Sequence, residues 1–247
     1  MKKHPAVTVA LLVVAALTAT ACGGGKGTAT PATTTTPTTV DSTAGTTPTT
    51  TPGTDAALVA KAKSAVFQPG DFPAGFEAQP DDPTQGLGID TVWSELTTCL
   101  GVPSTATPAG RATSATFKMG LATQGRATVE YTTEAMATAD AAALTGPKAQ
   151  DCLTKAFAAD VDRSKPEGAT PGPVMVAPSD VTVAGKKALS WRINATVNLQ
   201  DLVVPLFQDF IVIVNKGTVV RMMFLQPGSP FPQTLEHTLE EAVVSRA

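Results

Sequence analysis

The chain has 247 residues, of which 43% are hydrophobic and 16% are charged, and its formal net charge at neutral pH is −3. A mildly acidic chain without a basic patch is a poor partner for nucleic acid, which is bound mainly through clustered Lys and Arg. The composition therefore argues against nucleic-acid binding and is typical of a globular protein large enough to bury a core.

The first residues have the layout of an export signal. A basic start at residues 2–4 precedes an apolar stretch at 6–17, which is too short for a membrane span of about 20 residues. Small residues then lead to Cys22 and three glycines. This arrangement over residues 1–21 resembles a bacterial lipoprotein signal, although Ala19 stands where such signals prefer Leu or Val. The resemblance implies a diacylglycerol on Cys22 and anchoring outside the cell membrane; a secreted protein with a free thiol is the alternative.

Residues 22–54 form the next segment, and after the Cys they are almost entirely Thr, Pro, Ala and Gly. Such a segment buries too little apolar surface to offset the entropy of ordering. We expect a disordered tether that holds a single folded domain, residues 55–247, away from the membrane. Dense Thr with Pro also fits O-glycosylation, and a bare spacer is the alternative.

The other two cysteines are Cys99 and Cys152. Val92, Leu96 and Cys99 fall at helical spacing, and Cys152 lies on a similar apolar stripe within residues 149–157. Both thiols therefore face inward from helices, and an exported protein can oxidise them. We expect a disulfide between them, with two buried free thiols as the alternative.

The rest of the domain alternates between strands and helices. An Ala-rich helix is expected from about Glu134 to near Asp160, with a break at residues 146–147. The last helix carries an apolar stripe from Phe231 to Val243. The predicted strands cover residues 114–119, 126–131, 174–183, 187–198, 203–214 and 217–225. The fold class expected is α+β, a two-layer sandwich with an antiparallel sheet of about six strands and helices packed on one face.

The strand alternation also suggests a solvated face of this sheet. Its polar positions include Lys118, Glu130, Arg192 and Asn194. These four residues are a candidate recognition face, and an ordinary solvated surface is the alternative.

Four short motifs resemble a known group of proteins. They are Asp-Phe-Pro-Ala-Gly-Phe at 71–76, Leu-Thr-Thr-Cys-Leu-Gly at 96–101, Asp-Cys-Leu at 151–153 and Pro-Phe-Pro at 230–232. Together they resemble actinobacterial envelope lipoproteins, which are similar to the extracellular sensor domains of mycobacterial Ser/Thr kinases and to PsbP-like α/β sandwiches. The resemblance implies a helix-flanked antiparallel sheet with a cleft and no catalysis. Those kinase domains carry two disulfides, whereas this chain has cysteines for one.

Catalytic and metal-binding patterns are missing from the sequence. It contains neither a nucleophile elbow nor a phosphate-binding glycine loop. His237 is the single His of the domain, and its neighbours Glu236, Glu240 and Glu241 favour a solvated helix face. We therefore expect no catalytic residues, no metal and no cofactor.

The function expected from the sequence is that of a membrane-anchored, extracytoplasmic module that binds a ligand or partner and is not an enzyme. The lipid anchor makes the membrane one partner. The other is an unidentified small molecule, lipid or envelope protein. The alternative is a carrier of lipid or another apolar molecule in a cavity between helices and sheet.

Overall fold

The computed structural model describes residues 54–79, 88–102, 107–120 and 123–247. The predicted signal, Cys22 and nearly all of the predicted tether lie outside these residues. The strands of the described part are β1 (Glu77–Gln79), β2 (Gly110–Thr113), β3 (Thr116–Met119), β4 (Thr123–Tyr131), β5 (Thr170–Pro171), β6 (Met175–Ser179), β7 (Thr182–Val183), β8 (Lys186–Lys187), β9 (Leu189–Leu199), β10 (Leu202–Asn215) and β11 (Thr218–Pro227).

Nine of these strands form one antiparallel sheet, whose main order is β1-β3-β4-β11-β10-β9-β5. In addition, β2 pairs with β4 and β6 pairs with β9. The strands β7 and β8 form a separate pair.

Five α-helices occur among the described residues, and local sequence explains several of their ends. Asp55 accepts hydrogen bonds from the first backbone N–H groups of α1, and Thr133 does the same for α3. Gly101 ends α2 in the left-handed conformation, at φ 73°. The helices are α1 (Ala56–Ala65), α2 (Ile89–Leu100), α3 (Glu134–Leu144), α4 (Ala149–Ser164) and α5 (Gln233–Arg246).

The sheet is covered by helices on both faces. In β10, Ile211 and Ile213 pack in the cluster that contains α1 and α5, whereas Phe210 and Val212 pack in the cluster that contains α2 and α4. The α+β class is therefore confirmed, with nine strands in the main sheet rather than about six and helices on two faces rather than one. The physical reason is the continuous apolar run of β10, which buries side chains on both of its sides.

The predicted disulfide between Cys99 and Cys152 is confirmed, and it joins α2 to α4 across a sequence separation of 53 residues. The described residues belong to one compact unit. Within the described ranges, no helix is long and apolar enough to cross a membrane.

Candidate functional site

A pocket of about 520 Å³ opens between α5, the strands β9 and β10, and residues 177–182. Ten of its fourteen lining residues are polar or charged, and the apolar part of the lining comes from Ala177, Pro178, Val181 and Ile211. We call this site the α5 pocket. Its chemically distinctive residues are Arg192, Asn194, Asp209, Glu236, His237 and Glu240.

The side of the α5 pocket formed by the sheet carries an ion pair. Arg192 and Asp209 face each other directly in the register of β9 and β10. The guanidinium donates two hydrogen bonds to the carboxylate, from Nε to Oδ1 at 2.8 Å and from Nη2 to Oδ2 at 3.1 Å. Hydrogen bonding to Asp209 outweighs burial and raises the pKa of Arg192. Because each charge is matched by the other, the pair leaves almost no net charge at this part of the site.

The helix that faces this ion pair presents two buried carboxyl groups. Glu236 is 7% exposed and Glu240 is 2% exposed. Burial is the largest cause that raises the pKa of Glu236 to about 8, and the charges of Asp209 and Glu240 add to it, whereas Arg192 opposes it. Burial also raises the pKa of Glu240, against a hydrogen bond with His237 that lowers it. Glu236 therefore holds a proton at neutral pH.

Glu236 differs from Glu240 in its hydrogen bonding. Among the described residues, no side chain or backbone group makes a hydrogen bond or ion pair with the Glu236 carboxyl group, although it is more than nine-tenths buried. Glu240 lies 3.6 Å from Nδ1 of His237, and Nε2 of the same ring lies 3.3 Å from Glu241. The single His of the pocket is thus already placed between two carboxyl groups, while the Glu236 carboxyl group has no such contact among the described residues.

The sequence missed these carboxyl groups as site residues. We expected Glu236 and Glu240 on a solvated face, and that interpretation is wrong for both of them. Glu236, Leu239, Glu240 and Val243 are the buried residues of α5, and they fall at i, i+3, i+4 and i+7. This spacing is itself a helical stripe, but two glutamates within it conceal the signal.

The four predicted recognition residues do not share one face. Glu130 of β4 lies opposite Val219 of β11, which packs in the cluster that contains α2 and α4. Lys118 of β3 lies opposite Gln124, and Gln124 lies opposite Leu225 of the same cluster, so Lys118 is on this side of the sheet as well. Arg192 and Asn194 lie on the opposite side, in the α5 pocket. Alternation within a strand separates its two faces, but only the register tells which faces of distant strands coincide.

Glu130 has a structural partner on its side of the sheet. Its carboxylate accepts a hydrogen bond at 2.8 Å from Arg221, which is fully buried. The Arg221 guanidinium also lies 4.4 Å from the centre of the Trp93 ring. Glu130 therefore balances a core charge rather than forming a surface for recognition.

The described residues contain no group of three or more His, Cys, Asp or Glu side chains arranged to hold a metal ion. The expectation that the protein is not an enzyme stays a prediction. The α5 pocket offers acid–base groups and hydrogen-bonding groups, and its Asn194 amide is free of side-chain hydrogen bonds to any described residue. Such a set can orient a polar molecule.

Comparison with known proteins adds little to this geometry. No protein-family model matches the chain, and no curated protein matches it. A solved structure that it resembles is PA94 of Pseudomonas aeruginosa, a protein of unknown function. The identity is 12%, the TM-score is 0.22, and the match covers 55% of this chain and 78% of that one. This likeness is too weak to carry an argument about fold or function.

Proposed function

We propose that this protein is a lipid-anchored extracytoplasmic module that binds a small polar molecule in the α5 pocket. The observation that carries the proposal is the buried Glu236 carboxyl group, which lines a pocket of about 520 Å³ and is without a hydrogen-bonding partner among the described residues. Buried polar groups in folded proteins are normally paired. An unpaired one at the wall of a cavity is a natural contact for a ligand.

The anchor and the compartment belong to the same proposal. The Cys99–Cys152 disulfide is compatible with an oxidising environment outside the cytoplasm. A lipid on Cys22 and the Thr/Pro-rich segment 23–54 would hold the binding domain near the outer surface of the membrane. The domain would then meet small molecules or envelope partners without leaving the cell.

The character of the pocket favours a binding module over a carrier of apolar molecules. A carrier requires a cavity lined mainly by apolar side chains. The α5 pocket instead presents the Arg192–Asp209 pair, the Asn194 amide and two carboxyl groups on α5. An apolar ligand would leave the Asn194 amide and the Glu236 carboxyl group desolvated and unpaired, which costs free energy for both of them.

The test uses the full chain, purified in detergent, and three probes of equal carbon-chain length: putrescine, 1,4-butanediol and succinate. A ligand that binds only the folded state raises the thermal midpoint, and the rise grows with the logarithm of its concentration above Kd. We expect at least one probe to do so. Ala177→Trp, which places a large ring on a pocket-lining position of β6, should abolish the effect.

The matched control is Leu202→Trp, which is 60% exposed at the start of β10 and is not part of the pocket lining. It should leave the response to the probe unchanged. The proposal is overturned if none of the three probes stabilises the protein, or if Ala177→Trp and Leu202→Trp respond alike.

A further inference from the structure

The charges that surround Glu236 come from four segments of the chain. On its own helix are His237, Glu240 and Glu241, with the ring of His237 between the two glutamates. The sheet contributes Arg192 from β9 and Asp209 from β10. Beyond these, Asp180 lines the pocket mouth and lies 4.0 Å from Lys187 of β8, and both are exposed.

The two charges on the sheet are matched to each other, and the His237 ring contacts both of the other glutamates on α5. Arg192 is committed to Asp209 through two hydrogen bonds. His237 lies between Glu240 and Glu241. The carboxyl group of Glu236 has no such partner within the described chain, so its ionised form leaves a buried negative charge that a cation would neutralise.

We propose that the α5 pocket takes a small organic cation, with a primary ammonium or guanidinium group that pairs with the Glu236 carboxylate after the proton of that carboxyl group has left. This inference rests on the proposed function and names the chemical class of its ligand. The exchange is balanced: the carboxylic acid releases one proton to solvent, and the ligand cation takes the place of that proton beside the carboxylate.

Three features favour this class over others. An anionic ligand would find no unpaired positive charge in the pocket, because Arg192 is already paired with Asp209, and it would be repelled by the Glu236 carboxylate whenever that group is ionised. A neutral polar ligand would leave Glu236 protonated and would pair with it only through a neutral hydrogen bond. A charge-assisted hydrogen bond from an ammonium or guanidinium group is stronger than a neutral one, and burial raises the pKa of Glu236 to about 8, so binding at neutral pH requires proton release.

The experiment is calorimetric titration of the full chain in detergent with putrescine, 1,4-butanediol and succinate. Each titration is made in phosphate and in HEPES, whose heats of ionisation differ and neither of which carries a primary ammonium group, so that the difference in heat counts the protons released. We expect putrescine to bind with release of about one proton, and its affinity to increase from about pH 6 to about pH 8, because the proton competes with the cation.

Glu236→Gln keeps the shape of the side chain and removes its charge, so it should weaken putrescine binding by at least about tenfold and abolish proton release. The matched control is Glu241→Gln on the same helix, which is 53% exposed and is not part of the pocket lining. It should retain both the affinity and the proton release.

The possible outcomes separate the two proposals. Suppose that putrescine does not bind, but that succinate or 1,4-butanediol binds and Ala177→Trp blocks that binding. The cation inference is then overturned and the proposed function stands. If none of the probes binds, both are overturned. Putrescine binding that is equal in Glu236→Gln and the parent protein, or that releases no proton, also overturns the inference, and circular dichroism of each variant checks that it is folded.

Discussion

Glu236 is a carboxyl group held where its charged form is costly. In water a Glu ionises near its ordinary pKa of 4.5, but here burial and the neighbouring Asp209 and Glu240 raise the pKa to about 8. The folded state therefore binds this proton more tightly than the unfolded chain does. By linkage, the stability of the fold decreases as the pH rises from about 4.5 to about 8.

Replacing Glu236 by Gln should make the protein more stable at about pH 8. Each unit of pKa difference corresponds to about 1.4 kcal/mol, and partial solvent access reduces the total, so we expect a gain of about 1–3 kcal/mol. The free energy of urea unfolding, measured between about pH 5 and about pH 8, should decrease less steeply in Glu236→Gln than in the parent protein.

The control for this measurement is again Glu241→Gln, whose half-exposed side chain should leave the pH profile nearly unchanged. A lower stability of Glu236→Gln at about pH 8, or an unchanged slope, would contradict the account of a buried protonated carboxyl group.

At the scale of elements, α2 and α4 are joined at more than one point. The disulfide links Cys99 to Cys152, and Arg163 of α4 pairs with Glu95 of α2 at 2.5 Å. Asp160, which Arg163 also contacts, is buried enough that its pKa rises to about 6. These links hold both helices against one face of the sheet, while α5 and its pocket occupy the other face.

Removing the disulfide should destabilise the whole domain rather than one helix. At a sequence separation of 53, loss of the cross-link costs about 4 kcal/mol on the chain-entropy model. We expect the double variant Cys99→Ala/Cys152→Ala to show a lower midpoint of thermal unfolding, and reductant to lower that of the parent protein similarly.

Cys22→Ser is the matched control, because it removes a cysteine that lies outside the described domain. It should unfold at the same temperature as the parent protein. If the double variant were as stable as the parent, the cross-link would not constrain the unfolded chain in the way that this model requires.

At the scale of the whole molecule, the proposal combines an anchor, a tether and a binding domain. The anchor would confine the domain to a thin layer outside the membrane, which raises the local concentration of any ligand or partner released there. The acidic net charge of −3 would weaken attraction to anionic lipid surfaces, so the position of the domain would depend on the lipid chain rather than on electrostatic docking.

Cys22→Ser should release the protein from the membrane fraction of the native host. The reason is that the acyl chains, each contributing about 0.8 kcal/mol per buried CH₂, would supply the affinity for the bilayer. Cell fractionation with immunoblotting measures the distribution, and mass spectrometry of the N-terminal peptide should find diacylglycerol on Cys22. An unmodified Cys22 in the native protein would refute the anchor.

A helix or strand can be predicted from the sequence when its own residues carry a periodic apolar pattern. Short strands such as β1, β2 and β5 were not predicted, because two to four residues carry no periodic signal and form only against a longer neighbour. The helix α1 was missed for a related reason, since only Ala62 and Ala65 of its Ala-rich surface are buried. The long strands and the other helices were predictable because their apolar periods are strong.

By itself, the sequence determined the α+β class and the inward orientation of Cys99 and Cys152, because these depend on periodicity within single elements. Only the tertiary structure decided that Lys118 and Glu130 lie on one side of the sheet and Arg192 and Asn194 on the other. It also decided that Glu236 is buried opposite the Arg192–Asp209 pair. Strand register and helix docking are relations between distant segments, and the pKa of a side chain depends on that surrounding structure.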